Sequence, residues 1–149
     1  MTDDNDAEVV ETYAELFRGA TCLAPGSPAT TRAVLAQVGS LLPAAPRVVD
    51  MGCGAGAAAL VLAEALPAAR VVAVDALESF VADLNRRAQA AGLAGRLVAR
   101  VGDMVQPAAL GLQPGTVDLL WSAAAAYAVG LEAALAAWRP LLRPGGVLA

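Results

Sequence analysis

The 149-residue chain contains no histidine, and all ten of its basic residues are arginine, so lysine is absent as well. Without lysine there is no P-loop lysine and no Schiff base. Without histidine there is no Ser-His-Asp triad, no Cys-His dyad and no imidazole metal ligand, and no metal site is expected. Proton transfer falls to carboxylates, tyrosine, cysteine or water. Cysteine is scarce too: Cys22 and Cys53 are too few for a disulfide framework and fit a reducing, cytoplasmic setting. The uncharged stretch Leu119 to Leu131 is too short to span a bilayer. A surplus of positive charge is also missing. A net charge of -4 and a pI near 4.6 disfavour nucleic acid and anionic membrane, whose phosphates want a basic face. The opening Thr2-Asp3-Asp4-Asn5-Asp6 is acidic rather than a cationic, apolar leader. The expectation is a soluble protein with small-molecule partners.

What the chain has is apolar material, 58% of its residues, enough for one domain with a core rich in alanine. Residues 1–46 read as an N-terminal helical cap. Ala7 to Arg18 carries Val9, Val10, Tyr13, Leu16 and Phe17 at helical spacing, an amphipathic lid or flap. Ser27 is placed to cap a second helix that starts at Pro28, buries Val34, Leu35, Val38, Leu41 and Leu42, and stops at Pro43. From residue 47 to 149, strands and helices alternate: strands over Arg47 to Met51, Arg70 to Val74, Leu97 to Val101 and Val117 to Ser122, with helices over Ala57 to Leu66, Leu77 to Ala91 and Leu131 to Leu141. Pro140 should kink or end the last of these. The alternation predicts an α/β fold, a doubly wound and mostly parallel sheet with helices on both faces.

The most informative segment is Val48 to Gly56, a buried-strand run that breaks into three alternate glycines and enters a helix. Gly52, Gly54 and Gly56 let the backbone turn sharply and approach a ligand where a Cβ would collide. Cys53 lies inside this turn, most simply as a small buried thiol. Asp75 ends the second strand about twenty residues on, where a carboxylate can accept ribose hydroxyls. Gly102-Asp103-Met104 puts another acid at the end of the third strand, where open α/β sheets bind ligands. Gly52 to Ala57 also satisfies the looser Gly-x-Gly-x-x-Gly/Ala dinucleotide fingerprint, so an NAD(P)-binding oxidoreductase domain is a rival reading. A non-catalytic cofactor-binding remnant is another.

With Asp50 before the turn, Asp75 and Asp103 ending successive strands, and Leu142-Arg143-Pro144-Gly145-Gly146 after the fourth unit, the stretch from Arg47 to Ala149 resembles class I S-adenosylmethionine-dependent methyltransferases. Trp121-Ser122, Tyr127 and Gly130, with the upstream Gly26-Ser27-Pro28, resemble a bacterial small-molecule-type group of that family. The resemblance implies that Gly52, Cys53, Gly54 and Gly56 approach the methionine part of the cofactor, with Asp50 anchoring the turn or the amino group. It implies Asp75 at the ribose, Asp103 at the adenine amino group, Gly102, Met104, Ala76 and Leu77 around the adenine, and Trp121 and Ser122 beside the transferable methyl. Methyl transfer suits a chain poor in acid-base groups, since it needs mainly alignment. Tyr127, Tyr13 and Glu11 are the candidate bases for a hydroxyl acceptor. Where the bacterial group tends to carry Glu-Gly after Trp-Ser, this chain has Ala123-Ala124. Its last residues imply a chain that ends inside its fifth strand, short of the family's antiparallel C-terminal pair, with an open edge at which a second copy could pair.

Overall fold

A computed structural model describes residues 12, 13, 15–17 and 19–149. Five parallel strands form one sheet in the order β3-β2-β1-β4-β5. They are β1 (Arg47–Met51), β2 (Arg70–Asp75), β3 (Leu97–Val101), β4 (Val117–Trp121) and β5 (Leu142–Leu148). The helices are α1 (Pro28–Val38), α2 (Ala57–Ala65), α3 (Glu78–Ala90) and α4 (Leu131–Trp138). The doubly wound parallel architecture follows the sequence reading. The order in which successive strands are added reverses between β1 and β4, β2 and β3 lying to one side and β5 to the other, and such a switch point opens a crevice at the strands' C-terminal ends.

Both faces of the sheet are covered, which is why the central strands read as continuous apolar runs. On one face Val48, Val71, Leu97 and Leu119 pack with Leu35 of α1, Ala59 and Leu62 of α2 and Leu84 of α3. On the other, Val49, Met51, Val74 and Leu120 pack with Ala134 and Trp138 of α4. Asp50 and Trp121 are register partners on β1 and β4. The edge strand β3 is tied down by Asn85 of α3, whose amide both donates to the Ala99 carbonyl at 3.0 Å and accepts the Ala99 N–H at 2.9 Å.

Local chemistry sets the element ends. The Ser27 hydroxyl accepts the Thr30 N–H at 3.3 Å, with proline in the first turn of α1, as its sequence position implied. Arg96 closes α2 by donating to the Ala63 and Leu66 carbonyls at 2.9 and 3.2 Å. Pro140 does end α4: the helix stops at Trp138 and a single 3-10 turn, Arg139–Leu141, carries the chain into β5.

Three segments depart from the expectations. The stretch before Pro43 gives way to a 3-10 turn at Gly39–Leu41 rather than continuing as one helix. The Pro-Gly-Gly segment does not precede β5 but bulges out of it: Val117 pairs with Leu142 and Leu119 with Val147, leaving Arg143 to Gly146 outside the ladder. Arg143 leaves the ladder to pair with Asp118, a buried carboxylate that also accepts the Arg47 N–H at 2.7 Å. The expected Ala7 to Arg18 helix lies largely outside the described residues; within it Thr12, Tyr13, Glu15 and Leu16 are helical. No helix among the described residues is long and apolar enough to cross a membrane.

Candidate functional site

The C-terminal ends of β1, β2, β3 and β4 open onto one cavity of about 1070 Å³. Its floor is the glycine turn. Gly52, Gly54 and Gly56 have φ of +69°, +52° and +77°, a region costly for residues with a Cβ. Each glycine also faces a different neighbour. A Cβ on Gly52 would lie 2.3 Å from the Ala125 Cβ, one on Gly54 would lie 2.9 Å from Leu23, and one on Gly56 would lie 2.4 Å from Leu84. Gly52 and Gly54 line the cavity, whereas Gly56 does not. Gly56 instead lets α3 close down on the start of α2.

Asp75, at the end of β2, is the hinge of the site. One carboxylate oxygen accepts the Gly54 N–H at 2.8 Å and the other the Leu77 N–H at 3.0 Å. The acid is therefore fixed between the glycine turn and the entry to α3, with lone pairs still free to face the cavity, which it lines together with Ala76 and Leu77. Asp103, after β3, is exposed and ordered locally: its oxygens accept the Val105 N–H at 2.9 Å and the Gln106 side-chain amide at 3.2 Å. Gly102, Asp103 and Met104 all line the cavity. The loop that carries them is held from behind by Trp138, whose indole N–H donates to the Met104 carbonyl at 2.8 Å. Trp138 is thus a buried core residue.

Asp50 is 1% exposed, and its Oδ2 has no hydrogen-bond partner. Burial, reinforced by the nearby Asp75 carboxylate, pushes its pKa up to about 7. The same burial pushes the Cys53 thiol pKa up, with the Asp50 and Asp75 carboxylates adding to the effect, which disfavours the reactive thiolate; Cys53 lines the cavity at the turn. Trp121 is buried at 5% exposure, lines the cavity and has an indole N–H without a partner. Ser122 is not a lining residue; its hydroxyl donates to the Met51 carbonyl at 3.0 Å and braces β4 against β1.

Among the candidate bases, Tyr13 and Tyr127 both line the cavity and are 41% and 79% exposed. The Tyr13 ring also meets Phe80 edge-on at 6.4 Å between centroids. Glu11 lies outside the described residues. Of the adjacent arginines on α3, Arg86 is exposed, but the Arg87 side chain is 21% exposed and keeps Nε 2.9 Å from Asp83 Oδ2.

Sequence reasoning missed one wall altogether. Cys22, Leu23, Thr30 and Thr31 line the cavity, as does Phe80. Leu23 reaches the glycine turn from thirty-one positions away, and nothing local announces such a contact. The wall after β4 is Ala123, Ala124 and Ala125. There Ala124 holds φ of +54°, the one left-handed non-glycine position among the described residues.

Residues 48–146 match the family model for a methyltransferase domain. No curated protein matches the chain. A geranyl diphosphate methyltransferase solved with GPP and sinefungin is similar to it at 26% identity and a TM-score of 0.72, over 80% of this chain and 43% of that one. A SAM-dependent methyltransferase from Thiobacillus denitrificans, solved with S-adenosyl-L-homocysteine, aligns at 22% identity and a TM-score of 0.78, over 92% of this chain and 53% of that one. Its counterpart from Geobacter sulfurreducens, also holding S-adenosyl-L-homocysteine, aligns at 21% identity and a TM-score of 0.78, over 93% and 53%. The chain spans about half the length of these solved structures. It shares their fold, and with most of its length under the family model, this chain belongs to the methyltransferase domain family.

Proposed function

We propose that the chain is the cofactor-binding core of an S-adenosylmethionine-dependent methyltransferase that acts on a small molecule. The observation that carries this reading is the convergence of a braced Asp75, an unpartnered buried Asp50 oxygen and the Cβ-free Gly52 and Gly54 on one cavity. These are the features such a cofactor requires: an acceptor for ribose hydroxyls, an acceptor for an ammonium, and a backbone surface without side chains. S-adenosyl-L-homocysteine in the solved structures from Thiobacillus denitrificans and Geobacter sulfurreducens supports it.

In this reading Asp75 uses its remaining lone pairs for the ribose hydroxyls, hydrogen bonds to a charged acceptor being worth about 1.5–3 kcal/mol each. Asp103, with Leu77 and Met104 as apolar walls, takes the adenine end. Trp121 and the Ala123 to Ala125 wall take the methionine end. The cofactor supplies an activated methyl group on a sulfonium, so the protein's task is alignment and exclusion of water. The acceptor then lies among Tyr13, Tyr127, Thr30 and Thr31, and when the acceptor is a hydroxyl its proton passes to the phenolate oxygen of a deprotonated Tyr13 or Tyr127. A neutral amine needs no such base. No cationic side chain lines the cavity among the described residues, which favours a neutral acceptor over a diphosphate.

The test is formation of S-adenosylhomocysteine from S-adenosylmethionine in the presence of pooled small amines, thiols and phenols. Acceptor-dependent formation that is lost in Asp75→Ala is the expected result. Reduction of NAD by the same pools, with no S-adenosylhomocysteine formed, would move the chain to the dinucleotide-dependent oxidoreductases.

A further inference from the structure

Two buried polar atoms on neighbouring strands lack partners. Asp50 Oδ2 is an acceptor and Trp121 Nε1 a donor, and neither makes a hydrogen bond. Asp50 and Trp121 are paired in register on β1 and β4, so their side chains leave the same face of the sheet about 4.8 Å apart along the pairing direction. Both residues line the cavity. Buried polar groups are almost always satisfied, and here a donor and an acceptor on register-paired residues are both unsatisfied. A ligand that relieves both presents a donor and an acceptor on neighbouring groups, as the ammonium and carboxylate on the α-carbon of an amino acid do.

We propose that the Trp121 indole N–H binds the α-carboxylate of the cofactor while Asp50 takes its ammonium, an inference that rests on the methyltransferase reading above. A carboxylate in a protein site is usually met by arginine or lysine. This chain has no lysine, and no arginine lines the cavity among the described residues, so a neutral donor does this work. The start of α1 reinforces it. Thr30 and Thr31, in its first turn, line the same cavity, and Leu35 of the same helix shares a core cluster with Trp121. A helix N-terminus there adds a partial positive charge.

The experiment compares S-adenosylmethionine with decarboxylated S-adenosylmethionine, which keeps the sulfonium and the ammonium and lacks only the carboxylate. Both are titrated calorimetrically into the wild type and Trp121→Phe, which preserves aromatic bulk and removes the N–H. Trp121→Phe should weaken S-adenosylmethionine about tenfold and leave the decarboxylated ligand within about twofold. The free variant should unfold at the same or a higher urea concentration, because it loses an unsatisfied buried donor. Equal weakening of both ligands, or of neither, overturns the assignment. An independent readout uses the wild type alone: of its two tryptophans, one indole N–H proton resonance should move downfield with S-adenosylmethionine but not with the decarboxylated form. Movement of that resonance when free glycine is added to protein already saturated with S-adenosylhomocysteine would place the pair in an acceptor subsite and overturn the assignment to the cofactor. A wild type that binds neither sulfonium ligand would instead fail the methyltransferase reading itself, and this inference with it.

Discussion

The Gly54 N–H donates to Asp75 Oδ2 at 2.8 Å, joining the end of β2 to the turn that follows β1. The carboxylate that faces the cavity is also the strut that holds the glycine turn in shape, and its other oxygen holds the Leu77 N–H at 3.0 Å. Asp75→Asn, which exchanges one acceptor for a donor, should therefore lower stability by about 1–3 kcal/mol in urea unfolding. A variant as stable as the wild type would show that these bonds do not brace the turn.

Gly56 and Gly92 have nearly the same φ, +77° and +71°, but differ in their surroundings. A Cβ on Gly56 would meet Leu84 atoms at 2.4–2.8 Å, whereas one on Gly92 would meet nothing within 4 Å. Gly92→Ala should cost only the left-handed backbone, about 1–2 kcal/mol. Gly56→Ala adds overpacking of about 1–3 kcal/mol. Paired denaturation curves check the difference, and equal losses would mean that α3 yields freely at this contact.

Ala124 carries a left-handed backbone, φ of +54°, in the loop after β4. Ala124→Gly should raise stability by about 0.5–1 kcal/mol, the relief of the Cβ clash less the extra freedom of glycine in the unfolded chain. A lower unfolding midpoint would contradict this account.

Asp50 gives the protein a pH dependence of defined sign. In the folded chain its carboxyl holds a proton up to about 7, against 3.8 for the ordinary group. Between those values the folded state binds the extra proton, so this contribution is fully present below pH 3.8, declines as pH rises and is lost above about 7. Urea midpoints of Asp50→Asn should show a weaker decline across pH 5 to 7 than those of the wild type. Affinity for S-adenosylmethionine should rise over the same range, since only the ionised carboxylate attracts an ammonium. Parallel pH profiles for the two proteins would remove Asp50 as the titrating group.

Local pattern carried much of the fold. The strands at Arg47–Met51 and Leu97–Val101 match their sequence limits, because apolar runs bounded by proline, glycine and acids leave little choice. Of the expected cofactor residues, Asp50, Asp75, Asp103 and Trp121 line one cavity, as their places at strand ends required. Long-range relations were not legible. Leu23 against Gly54, Trp138 under Met104, and Arg143 drawn out of β5 toward Asp118 each join residues that no local period connects. The bulge in β5 shows why: a Pro-Gly-Gly sequence reads as a turn between elements until a buried carboxylate elsewhere supplies a reason for the strand to open.

The most direct measurement is a calorimetric titration of the chain with S-adenosylhomocysteine and, separately, NAD, for the wild type and Asp75→Ala. Saturable binding of S-adenosylhomocysteine alone is expected, weakened at least about tenfold in the variant by loss of the ribose acceptor. Binding of NAD in its place, or S-adenosylhomocysteine affinity unchanged in Asp75→Ala, would contradict this expectation.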